Sequence, residues 1–184
     1  MTVLNTDFTS IVSFRQLEAM YALAERSPPG AFAEIGVYQG GSAEVLYKLA
    51  LKQNREIYLF DTFTGTPNSI PALDKHKVDA EFAAPGIENK IRKLMPLAHL
   101  RVGIYPYTHP QEMPGVAFLH VDCDQYLSYK AVIRRMWPLV VPGGVMLFDD
   151  YPYLDGAKKA VEEHFDPKNL FKCHQRFYAI KPVG

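Results

Sequence analysis

"GVAFLHVDCDQYLSYKAVIRRMWPLVVPGGVMLFDD", from Gly115 to Asp150, decides the architecture. It opens with an apolar run that reads as a strand and closes with another, "GVMLFDD". Between them Val132, Ile133, Met136 and Trp137 recur at helical spacing. A strand, a helix and a second strand in that order form a parallel pair with a covering helix, so the sheet is buried on both faces. Each strand runs out into acids, Asp122 and Asp124 after the first and Asp149 and Asp150 after the second. Like charges at the mouth of a core repel, and losing water raises the cost. Two such pairs at neighbouring strand ends can instead surround one hard cation. Magnesium suits them, because it takes few protein carboxylates and keeps positions open for water or substrate.

The same alternation runs outward in both directions. Upstream, "AFAEIG", "EIYLFD" and "HLRVGIY" read as strands, and Val45, Leu46, Leu49 and Ala50 mark a helix after the first of them. Ile87, Ile91, Leu94 and Met95 mark a short amphipathic helix before the third. Ahead of the first strand, residues 1–30 form a helical segment. Ser13 and Gln16 make a capping box, Phe14, Leu17, Tyr21 and Ala24 share a face, and "SPPG" stops the helix. Downstream, "GAKKAVEEHF" is a helix, and "FKCH" with "RFYAIKP" allows a closing antiparallel hairpin. Residues 64–86 are polar and proline-bearing, a loop long enough to serve as a lid. The reading is one α/β domain over residues 1–184.

Ligands of open α/β sheets sit beyond the carboxyl ends of the strands. After the first strand comes "EIGVYQGGS": Gly36 allows a tight turn, Gly40 and Gly41 allow close approach to a ligand, and Ser42 is placed to cap the next helix. The second strand ends at Asp61, 25 residues after Gly36, where an acid can accept bonds from two ribose hydroxyls. A NAD-linked oxidoreductase is the rival, and "GVYQGGS" lacks its GxGxxG spacing. A phosphatase of the DxDGT kind would need an acid where Phe63 stands. A cofactor-binding partner protein without transfer activity is a third reading, and it would have no use for Asp149 and Asp150. His120 reads as packed in its strand, while His76 and His109 fall in loops.

Composition narrows the classes further. Twenty basic residues balance twenty acidic ones with no basic cluster, which argues against a nucleic-acid partner. No apolar run reaches membrane-spanning length, and "MTVLNTDFTSIVSF" lacks a signal-peptide pattern, so a cytoplasmic protein with no membrane partner is expected. Cys123 and Cys173 are spaced for neither metal nor redox chemistry and read as free, buried thiols. A homo-oligomer is left open.

Four stretches in order, "EIGVYQGGSA", "FDTFTGTP", "HVDCDQYLSYKAVIRRMWPLVVPGGVMLFDDY" and "GAKKAVEEHF", together resemble the macrocin and mycinamicin O-methyltransferases over roughly residues 31–165. The specific part is the combination FDTFxGxP, DxDxYxS and PGGxxxxDDY. The resemblance implies a Rossmann-like class I methyltransferase fold that uses S-adenosylmethionine. It places Glu34, Gly36, Tyr38, Gly40 and Ser42 around the methionine part of that cofactor, Asp61 on its ribose, and Thr62 and Phe63 beside the ribose and adenine. It makes Asp122, Asp149 and Asp150 the Mg2+ ligands, with Asp124 the alternative to Asp122. Asp122 is then the expected catalytic base, and the acceptor a hydroxyl of a sugar or another small diol-bearing molecule.

Overall fold

The structure, a computed structural model, describes residues 6–67, 69–76 and 81–184. In chain order the elements are α1 (Phe14–Glu25), β1 (Ala31–Ile35), α2 (Gly41–Gln53), β2 (Ile57–Asp61), α3 (Ile87–Leu94) and β3 (His99–Val102). There follow β4 (Val116–Val121), α4 (Tyr126–Met136), β5 (Val140–Phe148), α5 (Asp155–Glu162), β6 (Phe171–Cys173) and β7 (Arg176–Ile180). The strands form one seven-stranded sheet in the order β3-β2-β1-β4-β5-β7-β6. The first five are mutually parallel, β7 runs antiparallel to β5, and β6 pairs antiparallel with β7.

Period-2 alternation sorts the strand residues into two apolar layers. Phe32, Leu59, Phe118 and Leu147 face α1 and α2, where Met20, Ala24, Leu46 and Leu49 meet them. Ala33, Phe60, Leu119 and Met146 face the other way, onto Tyr129, Val132 and Ile133 of α4 and Ala157, Ala160 and Val161 of α5. Phe118 is fully buried in the first layer, and truncating such a ring to alanine costs about 3–5 kcal/mol.

The capping box at Ser13 and Gln16 is present and starts α1. The expected face of that helix is shifted, since Phe14 is exposed in the first turn and Leu17, Met20 and Ala24 carry the packing. Leu94 is likewise half-exposed, and Ile91 with Met95 anchors α3 instead. Ser42 does not cap α2. The cap is Gly40 at φ +87°, a left-handed conformation unlike the extended one from which a serine hydroxyl caps, and Ser42 lies inside the first turn.

Among their described residues, 64–86 contain no helix or strand, and the rest of the expected lid, residues 68 and 77–80, lies outside the described residues. Asp74 ties the segment down. Its Oδ1 accepts the Tyr126 N–H at 2.8 Å, capping α4 from a distance, and its Oδ2 accepts the Ile70 N–H at 2.6 Å. Gly156 in the first turn of α5 leaves the room, because a Cβ there would stand 2.2 Å from Asp74 Oδ1. No helix among the described residues is long and apolar enough to cross a membrane.

Candidate active site

The strand registers put the ends of β1, β2, β4 and β5 on one level. Ile35 lies opposite both Phe60 and Val121, and Val121 opposite Phe148. The ladder then continues one residue past the strands: Gly36 N–H donates to Phe60 O, Asp122 N–H to Ile35 O and Asp149 N–H to Val121 O, all at 2.9–3.0 Å. Gly36, Asp61, Asp122 and Asp149 thus form the floor of one cleft of about 450 Å³, within the usual range for a small-molecule site. Gly36 is irreplaceable at the seam. It sits at φ +91°, and a Cβ would be built 1.5 Å from the Asp122 carbonyl oxygen.

On the β2 side, Asp61 is tied into the backbone. Its Oδ2 accepts the Val37 and Tyr38 N–H groups at 2.6 and 2.7 Å, and its Oδ1 accepts the Phe63 N–H at 2.7 Å. A carboxylate has about four lone-pair sites, so three are filled and one is left for a ligand hydroxyl. Gly36, Tyr38, Ser42, Asp61 and Thr62 all line the cleft, whereas Glu34, Gly40 and Phe63 do not. Glu34 is fully buried with Oε1 on His120 Nδ1 at 2.8 Å, and Phe63 packs into the α2-side core at φ +55°. The space left by Gly40 and Gly41 is taken by the chain itself. A Cβ on Gly40 would meet the Phe8 ring at 2.8 Å, and one on Gly41 would meet Ser10 at 2.5 Å. This N-terminal strap is held by Glu44 Oε2, which accepts the Asp7 and Phe8 N–H groups. Thr9, Ser10 and Val12 of the strap wall the cleft, a role the sequence reading missed because the strap has no periodicity.

On the β4 and β5 side the acids crowd together. Burial first, and then Asp149, Asp150 and Asp124, hold the Asp122 carboxyl well above its ordinary range. Asp124, at φ +57°, is pushed up to about 8 by burial and by Asp150 and Asp149. Asp150 is pushed up to about 6 by burial and Asp149, against the hydrogen bonds that Tyr129 O–H (2.9 Å) and Asp124 N–H (3.0 Å) donate to its Oδ2. Asp149 goes the other way: burial would raise it, but His120 and Arg176 hold it below the usual value. No hydrogen bond reaches the Asp122 carboxylate among the described residues.

Among the described residues, the donor atoms of His120, Asp122 and Asp149 fall within 4.8 Å of one another, and Asp150 is not in that group. His120 is a poor ligand all the same. Nδ1 is engaged by Glu34 and Nε2 by Asp149 at 3.2 Å, and although burial opposes it, these two carboxylates raise its pKa and favour the protonated ring. The oxygens of Asp122 and Asp149 fit a hard divalent cation: an excess of buried acidic groups with too few donors to balance them. His76, from the 64–86 segment, also lines the cleft, 3.7 Å from Asp124 and paired with Glu81 at 2.8 Å. His109 instead pairs with Tyr105 O–H. Cys123 and Cys173 are free but only half-buried, and Cys123 lines the cleft.

The sheet order, with its glycine turn after β1 and acid after β2, defines a Rossmann-like class I methyltransferase fold. Residues 12–176 match the Macrocin-O-methyltransferase (TylF) family, and the chain belongs to that family. It is 27% identical over 157 residues to an 8-demethyl-8-(2,3-dimethoxy-alpha-L-rhamnosyl)-tetracenomycin-C 4'-O-methyltransferase of Streptomyces olivaceus, covering 74% of this chain and 58% of that one. It is 27% identical over 158 residues to the mycinamicin III 3''-O-methyltransferase of Micromonospora griseorubida, covering 75% and 61%. The chain therefore spans about three fifths of the length of these relatives. The fold superposes on the O-methyltransferase NovP with a TM-score of 0.80 at 21% identity, covering 95% of this chain and 82% of that one. For the calicheamicin methyltransferase CalS11 the TM-score is 0.71 at 22% identity, covering 89% and 76%.

Proposed function

We propose that the chain is an S-adenosylmethionine-dependent O-methyltransferase acting on a hydroxyl of a sugar or another small diol-bearing acceptor, with Mg2+ held by Asp122, Asp149 and Asp150. The observation that carries this reading is the single cleft that joins the Gly36 turn and Asp61 to the acid corner one strand away. Family membership supports it, as do relatives named for O-methylation of a rhamnosyl-tetracenomycin and of mycinamicin III.

The cofactor supplies an electrophilic methyl on a sulfonium sulfur, and a bound divalent cation would orient two neighbouring hydroxyls and lower their pKa. The chain's own part is alignment and proton transfer. Asp61 has one lone-pair site left for a ribose hydroxyl, and Tyr38 and Ser42, which line the cleft, would hold the methionine end. With that cofactor bound, its methyl would pass to the acceptor oxygen, the carbon–sulfur electron pair returning to sulfur. Asp122, on the cleft floor, takes the hydroxyl proton. Alignment of the two reactants in one site accounts for much of such an acceleration. Asp124 is the alternative to Asp122 as a ligand. We also place the protein in the cytoplasm, on the strength of its two free thiols.

Calorimetric titration with S-adenosylhomocysteine and, separately, NAD tests the reading. S-adenosylhomocysteine should bind and, at 100 times its Kd, stabilise the fold by about 2.7 kcal/mol. No binding at millimolar concentration, or tighter binding of NAD, contradicts it. Release of S-adenosylhomocysteine on incubating S-adenosylmethionine with a panel of glycosides bearing vicinal hydroxyls then identifies the acceptor.

A further inference from the structure

Arg176 is the first residue of β7, and the register places it beside the acid corner. Phe177 lies opposite Phe148 in the antiparallel pair, so the next residues outward, Arg176 and Asp149, face each other. Arg176 is 1% exposed and does not line the cleft. Its Nη2 forms an ion pair with Asp149 Oδ1, and Nε, Nη1 and Nη2 are all buried with no hydrogen-bond partner among the described residues. A guanidinium carries five N–H donors, and burying it for one carboxylate contact is a poor way to satisfy them. Packing alone would be better served by an apolar side chain of the same length.

The contact makes sense as part of a row. Glu34 on β1, His120 on β4, Asp149 after β5 and Arg176 on β7 come from four neighbouring strands of the sheet, each touching the next. Both contacts to Asp149 fall on Oδ1, although the residue itself lines the cleft. One oxygen is thereby clamped, and the other has no hydrogen bond or ion pair among the described residues. A divalent cation taken up by Asp149 must share that carboxylate with a permanent positive charge.

We propose that Arg176 is a built-in counter-ion for Asp149, which tempers the affinity of the acid corner for divalent cations. This rests on the Mg2+ reading given above. Without a cation Arg176 offsets part of the repulsion among the acids, and with one it competes.

The test is calorimetric titration of Mn2+ into chelator-stripped wild type, R176M and R176K, with S-adenosylhomocysteine binding as the control for an intact fold. R176M keeps the length and apolar stem but loses the charge, and it should bind Mn2+ about tenfold more tightly. R176K keeps the charge and should stay within about threefold of wild type. A residue that served only packing would leave Mn2+ affinity unmoved in both. If R176M is soluble only poorly, Mn2+ should restore it by taking over the counter-ion role, and failure to do so contradicts the proposal. Unchanged or weaker Mn2+ binding by R176M overturns the role of Arg176 while leaving the cation site standing. No Mn2+ binding by the wild-type protein overturns the Mg2+ reading, and this proposal with it.

Discussion

At the β2 end of the cleft one carboxylate, Asp61, accepts three backbone N–H bonds; at the β4 and β5 ends four carboxylates crowd together with fewer donors than oxygens. The first region is balanced by the protein itself. Its turn is held by Asp61 from one side and by the N-terminal strap from the other, so its shape is in place before any ligand arrives. The second is left short of positive charge. Asp150 has Tyr129 and a backbone N–H, Asp149 has His120 and Arg176, and Asp122 has only the nearby Arg176 charge and no hydrogen bond among the described residues. The contrast separates a half whose shape the protein fixes by itself from a half left short of positive charge, which the proposed Mg2+ would complete.

Gly36 joins the halves, so breaking it should have the largest effect. Gly36→Ala drives a Cβ into the Asp122 carbonyl and forces an alanine to φ +91°, which should cost about 4 kcal/mol or more. Urea denaturation measures the loss. Binding of cofactor and cation should fail together, and a variant that lost only one would show the two halves to be less coupled than the seam implies.

Asp61→Ala attacks the balanced half alone. Three charge-assisted bonds vanish and the Val37 and Tyr38 N–H groups are left without their acceptor, for a loss of about 3 kcal/mol in stability. S-adenosylhomocysteine affinity should drop with it while Mn2+ affinity holds. Unchanged denaturation midpoints would mean that Asp61 serves the ligand and not the turn.

The unbalanced half should betray itself through pH. Asp150 is raised from 3.8 to about 6 in the folded protein, so between those values the folded state binds more protons than the unfolded one. Its contribution is therefore fully present below roughly pH 4 and is lost as pH rises through about 6. In metal-free protein this amounts to roughly 2–3 kcal/mol, read as the difference between wild type and D150N in urea melts at the two ends of that window. Saturating Mg2+ should flatten the difference, and an identical pH slope in D150N would contradict the origin assigned to it.

The same contrast explains what could be read in advance. The strands, the helix order and the closing hairpin were legible because period-2 and period-3.6 patterns survive in Phe32, Leu59, Phe118 and Leu147 or in Val132, Ile133 and Met136. The strand-end acids were legible because a charge that interrupts an apolar run stands out. Contacts between distant segments were not. Gly40 and Gly41 announced that something approaches closely, but only the fold reveals that it is Phe8 and Ser10. His120 looked like a core residue, and its partners Glu34 and Asp149 are 86 and 29 residues away. Arg176 carried no local signal at all, since its meaning comes from the register of β7 against β5.

The most direct test of the central claim is calorimetric titration of Mg2+ into chelator-stripped protein, wild type beside D149N/D150N. The double variant keeps the shape of both side chains and removes two charges. Wild type should bind one Mg2+ saturably with a Kd of about 1 mM or tighter. The double variant should lose that binding while its S-adenosylhomocysteine affinity stays within about threefold, because Asp61 and the Gly36 turn lie on other strands. Wild-type protein that takes up no Mg2+ at concentrations of about 20 mM, or a double variant that binds it equally well, would contradict the account.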